Sequence, residues 1–197
     1  MPGYRIFGGA FQVVEERNFE KIAGGVWSPI FTLPRNEKKF CAKLSAAGIP
    51  VYLPLRRHVN IQPVISKGKS YCYKRVLRVP MFPGYVFANV TPELKSDLRC
   101  CPSVIRILEV SECEEEVLIN ELNLIREVEK FSEDADIDVI EGVSRGRHVK
   151  FTGGAFAGWE GVVLSVNGKD GMVSVNISSI DTSVCLKYPV AWCRPSD

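Results

Sequence analysis

The sequence has few of the residues that build metal sites. It contains two histidines, and no two of its seven cysteines form a Cys-x-x-Cys pair. Structural zinc sites take their Cys and His ligands from closely spaced pairs. We therefore predict no metal and no other cofactor. An odd number of scattered cysteines also favours reduced thiols over a disulfide framework.

Long apolar runs are absent as well. No stretch approaches the roughly 20 apolar residues that cross a bilayer. The first ten residues lack the continuous apolar core of a secretory signal, and Glu15 and Glu16 follow soon after them. We expect a cytoplasmic protein that does not contact a membrane.

Signatures of nucleotide binding and catalysis are also missing. The glycine-rich run 153–161 contains neither Gly-x-Gly-x-x-Gly nor Gly-Lys-Ser/Thr, and the pattern predicts no helix after it. His58 and His148 have no identifiable acid or nucleophile partner. We therefore predict that the protein is not an enzyme. Thiol chemistry at Cys100 and Cys101 is the enzymatic alternative, against the simpler interpretation of two reduced thiols near a strand end.

Charge is present but segregated. The formal net charge is only +2, yet residues 35–80 carry eleven Lys or Arg and one acid, and residues 109–141 carry thirteen acids and two basic residues. A basic block is a candidate surface for nucleic acid. The acidic block is interpreted as a helix followed by a solvated linker at 132–144.

A helix is predicted at 35–47, with Pro34 in its first turn and Gly48 as its C-terminal cap. Its two sides differ in chemistry. The apolar side is formed by Phe40, Cys41, Leu44 and Ala47, and the cationic side by Arg35, Lys38, Lys39 and Lys43. Such a helix can bury one side on a sheet and present four cations to a polyanion.

Strands alternate with helices over the first two thirds of the chain. Strands are predicted at 26–33, 51–55, 85–90 and 104–110, a hairpin at 58–79, and helices at 93–99 and 114–131. We expect Thr91 to cap the first of these helices. Val117, Leu118, Ile125 and Val128 should form the buried stripe of the second. This order predicts an α+β domain with a βαββαβ-like antiparallel sheet backed by helices.

After the acidic linker, apolar residues recur at every second position, which is typical of strands. Short strands are predicted at 148–151, 161–166, 172–177 and 183–187, with 190–193 as a candidate fifth. Five short strands in about fifty residues are typical of a small, strongly bent barrel.

Three segments carry a family resemblance. They are Gly-Ile-Pro-Val-Tyr-Leu-Pro-Leu at 48–55, Val-Pro-Met-Phe-Pro-Gly-Tyr-Val-Phe at 79–87, and the glycine-rich segment at 146–161. In this order and spacing they resemble the NusG family of transcription elongation factors. The resemblance implies an N-terminal extension at 1–25, a NusG N-terminal domain at 26–131, the linker at 132–144, and an SH3-like KOW barrel at 145–197. The KOW motif is carried by Gly146, Val149, Gly154, Phe156, Gly158 and Gly161.

The resemblance also implies a docking surface. The N-terminal domain of the family binds RNA polymerase through a hydrophobic depression that receives the β′ clamp helices, which places Phe82 and Tyr85 in contact. Tyr52 and Leu53 would flank or support the depression. Aromatic side chains are typical interface anchors, although they also serve as core residues of small domains.

The opposite edge of the domain would meet the polymerase β subunit and the non-template DNA strand. The implied contacts are Arg35, Lys38, Lys39, Lys43, Pro102 and Ser103. Binding polymerase on both sides of its cleft would suppress pausing or termination without chemical catalysis.

Other details are similar to specialised paralogs of the RfaH, UpxY and LoaP groups, which act on particular operons. They are the string at 51–55, the helix start at 34–39 and Pro-Ser-Val at 102–104. The resemblance further implies a monomer whose KOW domain recruits a small-subunit ribosomal protein or Rho, and it allows contact with nascent RNA. The alternative is a KOW-containing RNA-binding or ribosome-associated protein that binds structured RNA through the basic hairpin at 67–78.

Overall fold

The computed structural model describes residues 18–66, 69–132, 137–141, 146–154 and 156–196. The N-terminal part is built from helices and strands in alternation, as the sequence predicts. In chain order these are β1 (Val26–Thr32), α1 (Glu37–Ala46), β2 (Val51–Tyr52), β3 (Leu55–Ser66), β4 (Lys69–Pro80), β5 (Tyr85–Val90), α2 (Pro92–Arg99), β6 (Val104–Ile107) and α3 (Glu112–Phe131).

A four-stranded sheet forms the centre of this part, in the order β2-β5-β1-β6 with antiparallel pairs throughout. Successive side chains of a strand point to opposite faces, so each face buries its own cluster. Ile30 and Val86 pack with α1 and α2 on one face. Trp27 and Phe87 belong to a second cluster with α3. The predicted sheet backed by helices is therefore confirmed.

The ends of the first two helices follow local stereochemistry. Arg35 has φ of +66°, which an α-helix cannot contain, and α1 begins only at Glu37. Arg35 was thus wrongly included in the helix, as was Pro34 in its first turn. Ala47, expected on the buried side, is exposed. Thr91 does cap α2, since its hydroxyl accepts a hydrogen bond from the Leu94 N–H.

Helix α3 is buried on two sides rather than one. A capping box at Ser111 and Glu114 begins the helix. Its buried residues include Leu118, Leu122 and Ile125 on one side and Glu121, Leu124 and Val128 on another. Val117, expected in the buried stripe, is exposed. A helix buried on two sides must lie between two layers of structure.

The second layer is an antiparallel sheet of six strands. They are β7 (Ile137–Glu141), β8 (Arg147–Phe151), β9 (Glu160–Asn167), β10 (Asp170–Ile177), β11 (Thr182–Pro189) and β12 (Cys193–Pro195), in the order β12-β8-β9-β10-β11-β7. The strands at 148–151, 161–166, 172–177 and 183–187 are confirmed. Residues 190–192 instead form a 3₁₀-helix, and the last strand begins at Cys193.

Two further features of this sheet differ from expectation. The predicted linker at 132–144 contains β7, which pairs with β11 and places Val139 opposite Val184. Strands β7 and β12 lie at the two ends of the strand order, so the described strands form an open sheet and do not close into a barrel. Among the described residues, no helix is long and apolar enough to cross a membrane.

The C-terminal sheet contacts the end and the middle of α3. The rings of Phe131 and Phe156 lie 5.9 Å apart between centroids. The backbone N–H groups of Ser178 and Ser179 donate to the Glu121 carboxylate over 2.7 and 3.2 Å. Residues of both parts consequently belong to one buried cluster.

Candidate functional site

The turn between β4 and β5 carries the two aromatic residues that the sequence singles out. Phe82 is only 2% exposed and packs edge-on against Phe87, with ring centroids 6.4 Å apart. Tyr85 is half-buried, and its ring lies 5.1 Å from that of Phe31. Of these two side chains, only that of Tyr85 is accessible to a partner in this structure.

Tyr52 and Leu53 are each 9% exposed and belong to the clusters on opposite faces of the sheet. The Tyr52 hydroxyl donates to Glu129 over 2.7 Å, and the Leu55 N–H donates to the same carboxylate over 3.1 Å. Burial raises the pKa of Glu129, and these hydrogen bonds oppose the rise. Burial, with the charge of Glu129, also raises the pKa of Tyr52. The hydrogen bond to Glu129 of α3 therefore holds Tyr52 in the buried cluster, where it can support the aromatic turn but is not itself accessible.

The cationic residues of the α1 region are exposed. They are Arg35, Lys38, Lys39 and Lys43. The Lys38 ammonium group donates to the Arg78 carbonyl over 2.6 Å, which ties α1 to the base of the hairpin. A cavity of about 370 Å³ lies between α1 and the base of the hairpin. Its lining residues are Arg35, Glu37, Lys38, Arg56, Val79, Pro80 and Pro83. Three cations around one open cavity suit an anionic group such as a phosphate.

The start of α1 lies beside the aromatic turn, not at the opposite edge of the domain. The Gly84 N–H donates to the buried Glu37 carboxylate over 2.8 Å. The turn at Pro102 and Ser103 is close as well, because the Ser103 carbonyl accepts from the Leu33 N–H over 3.0 Å. The start of α1 and the turn at Ser103 thus lie next to the aromatic turn at the end of β1, although Phe82 and Tyr85 pack on the α3 face of the sheet and α1 covers the other face.

The glycine-rich motif of the C-terminal part has a packing role. Val149 and Phe156 are buried, and Phe156 contacts Tyr188 with ring centroids 5.3 Å apart. A Cβ atom on Gly161 would lie 2.7 Å from the ring of Phe151, and one on Gly146 would lie 2.4 Å from the Val163 carbonyl. Gly154 and Gly158 both have positive φ.

Sequence reasoning missed the contact between the N-terminal extension and α3. The backbone N–H of Phe19 donates to Asn123 over 2.7 Å, and the Asn123 amide donates back to the Phe19 carbonyl over 3.1 Å. The Arg126 guanidinium lies 4.0 Å above the Phe19 ring. No periodicity or motif marks Phe19 in the sequence. The rest of the predicted extension, residues 1–17, lies outside the described residues.

No group of three or more His, Cys, Asp or Glu side chains in the described ranges could hold a metal ion. The candidate site consists of the accessible Tyr85, the buried Phe82 and Tyr52, and the cavity lined by Arg35, Lys38 and Arg56. Such a surface can bind a protein through the ring and a phosphate backbone through the cations.

Comparisons with known proteins found a matching family model and similar solved structures. The family described as transcription termination factor nusG matches residues 25–126. The structure titled "Domain interaction in Thermotoga maritima NusG" is similar over 88% of this chain and 98% of that one, with 20% identity and a TM-score of 0.50. A structure of the MjSpt4:Spt5 complex shares 14% identity over 87% of this chain and 97% of that one, with a TM-score of 0.29. No curated protein gives a significant match.

Proposed function

The chain belongs to the NusG family, whose members are transcription elongation factors that bind RNA polymerase, and we propose that it binds the β′ clamp helices of the polymerase and suppresses pausing or termination on particular operons. The observation that carries this proposal is the family match, which includes the sheet, α1 and the Phe82–Tyr85 turn. Members of the family are transcription factors and not enzymes.

The geometry supports a division of roles within the turn. Tyr85 is the accessible anchor, because its ring is partly exposed against Phe31. Phe82, Tyr52 and Leu53 support it from the buried clusters, or become accessible when the packing over them changes. Arg35, Lys38, Lys39 and Lys43 would hold non-template DNA or nascent RNA through phosphate contacts, together with the turn at Pro102 and Ser103.

The C-terminal sheet is proposed to be the KOW domain, with a small-subunit ribosomal protein or Rho as its partner. The strands β8 to β12 and the buried positions of Val149 and Phe156 support this assignment. A partner protein must either displace α3 from the C-terminal sheet or bind a part of the sheet that α3 does not contact.

We expect Tyr85→Ala to weaken binding to bacterial core RNA polymerase by about 30-fold or more, the usual effect of removing an aromatic anchor. The measurement is a titration of labelled full-length protein with core enzyme. Tyr73→Ala is the matched control, since it removes an exposed tyrosine from a different surface.

A thermal melt accompanies each variant, because Phe31 loses a ring contact in Tyr85→Ala. Phe82→Ala is less informative alone, since truncating a buried Phe costs about 3–5 kcal/mol of stability. Equal affinity of the wild type and Tyr85→Ala would contradict the role of the turn. Absence of wild-type binding would instead favour the RNA-binding alternative.

A further inference from the structure

Strands β3 and β4 form a ribbon that stands apart from the two larger sheets. The strands pair along their whole length, from Leu55 opposite Pro80 to Ser66 opposite Lys69, and neither pairs with another described strand. Residues directly opposite each other in an antiparallel pair point to the same face. The register therefore assigns the described side chains of the ribbon to two faces.

The two faces of the ribbon differ in chemistry. The first face is largely apolar and carries Val59, Ile61, Pro63, Cys72 and Val76, with Arg57, Lys74 and Arg78 among them. The second face, which we call the tyrosine face, carries His58, Asn60, Gln62, Tyr71, Tyr73, Arg75 and Leu77.

Tyr71 and Tyr73 lie in the open. They are 51% and 57% exposed, although a phenol ring normally finds cover in a folded protein. They are two residues apart on one strand, so their Cα atoms are separated by about 7 Å. Gln62 is directly opposite Tyr73, and Asn60 is directly opposite Arg75.

The charge of the ribbon identifies the kind of partner. Residues 55–80 contain seven Lys or Arg and no Asp or Glu. An exposed segment that needed charge only for solubility would mix both signs. Because the ribbon contains cations and no acids, it is complementary to a polyanion. Its exposed tyrosine rings can also stack with the flat bases of a nucleic acid.

We propose that the tyrosine face binds single-stranded RNA, with bases stacked on Tyr71 and Tyr73 and a phosphate held by Arg75. Stacking on aromatic rings requires unpaired bases. The amides of Asn60 and Gln62 lie beside the rings, where they can donate to and accept from base edges.

Two physical arguments favour this form of nucleic acid. The major groove of duplex RNA is deep and narrow, so a side chain on a ribbon cannot read it. The 2′-hydroxyl of RNA both donates and accepts hydrogen bonds, and it therefore offers partners to His58, Asn60 and Gln62 that DNA lacks. This site is separate from the Tyr85 surface, and the inference goes beyond polymerase binding.

The test uses the full-length protein and a labelled pool of randomised 12-nucleotide RNA, with fluorescence anisotropy at low salt. We expect Tyr73→Ala to weaken binding by about five- to 150-fold, the usual effect of losing one stacked base, and Tyr71→Ala to act similarly. Tyr73→Phe should retain affinity because it keeps the ring.

The first face supplies the control. Ile61 and Val76 are 55% and 57% exposed, as open as the tyrosines, so Ile61→Ala and Val76→Ala should leave RNA affinity unchanged. Arg75→Gln should lower affinity and reduce the slope of log affinity against log salt by about 0.7, the value for one phosphate contact on a single strand.

Three results would overturn the proposal. One is failure of the wild type to bind the pool, and another is equal loss in Tyr73→Ala and Ile61→Ala. The third is tighter binding of single-stranded DNA or of duplex RNA than of the single-stranded pool. Polymerase titrations of the same variants separate the two functions, since Tyr73→Ala should still bind polymerase and Tyr85→Ala should still bind RNA.

Discussion

Replacing Gly84 by alanine is expected to lower the free energy of unfolding by about 2–6 kcal/mol. The residue has φ of +85°, a conformation that costs a non-glycine residue about 1–3 kcal/mol. A Cβ atom would also lie 2.6 Å from Cε2 of Phe31, which overpacks the site by about 1–3 kcal/mol more. Urea denaturation of the wild type and the variant measures the difference.

The control for this substitution is Gly48→Ala. Gly48 has a similar φ of +73°, but nothing lies within 4 Å of the position that its Cβ atom would take. Only the backbone cost, about 1–3 kcal/mol as at Gly84, should remain. Equal destabilisation by the two substitutions would show that Phe31 moves aside without cost, and would contradict the packing argument.

The position of Gly84 explains why this substitution should also affect polymerase binding. Its carbonyl accepts from the Thr32 N–H over 2.7 Å, and its N–H donates to Glu37. The turn is thereby joined to β1 and to α1. An added methyl group pushes on Phe31, whose ring supports Tyr85. Loss of affinity in a folded Gly84→Ala variant would thus come from the orientation of Tyr85.

Local patterns predicted most elements of the fold. The strand at 85–90 and the cap at Thr91 follow from alternation and from side-chain chemistry within a few residues. The helix end at Gly48 follows from the freedom of glycine to adopt positive φ. These features depend on near neighbours, which the sequence displays directly.

Features that depend on distant partners were missed. Both sides of α3 are apolar enough to be buried, but only the folded chain shows that a second sheet covers one of them. The same holds for β7, whose acidic sequence reads as a linker until its pairing with β11 is known. Tyr52 was expected to flank or support the depression, but the sequence did not show that its hydroxyl donates to Glu129, which is distant in sequence.

The sequence predicted several residues of the candidate site but not how the fold arranges them. The sequence marked Tyr85, Lys38 and Ser103 through motif and charge. It could not place them around one end of β1, because that placement depends on the Glu37–Gly84 and Leu33–Ser103 hydrogen bonds. In the sequence, Tyr71 and Tyr73 are two residues apart within the basic hairpin at 67–78, and this spacing does not show what lies beside them. The pairing of β3 with β4 added Asn60 and Gln62 of the neighbouring strand to the same face.

Removing the Glu121 carboxylate should release the C-terminal sheet from α3. Glu121 is 7% exposed, and its two oxygens accept from the backbone N–H groups and the hydroxyls of Ser178 and Ser179. Glu121→Ala leaves these donors without their acceptor, and a hydrogen bond to a charged group is worth about 1.5–3 kcal/mol. Ser178 is exposed and Ser179 is half-buried, so water replaces part of what is lost. We therefore expect docking to weaken by about 1–3 kcal/mol.

The measurement combines small-angle X-ray scattering with amide hydrogen exchange. The radius of gyration should rise, and the amide protons of Ser178 and Ser179 should exchange faster while those of β10 and β11 stay protected. Glu127→Ala is the control on the same helix. Its exposed pair with Lys130 is worth at most about 0.5 kcal/mol, so docking should persist. An unchanged radius in Glu121→Ala would mean that apolar contacts such as Phe131 with Phe156 suffice to hold the two parts together.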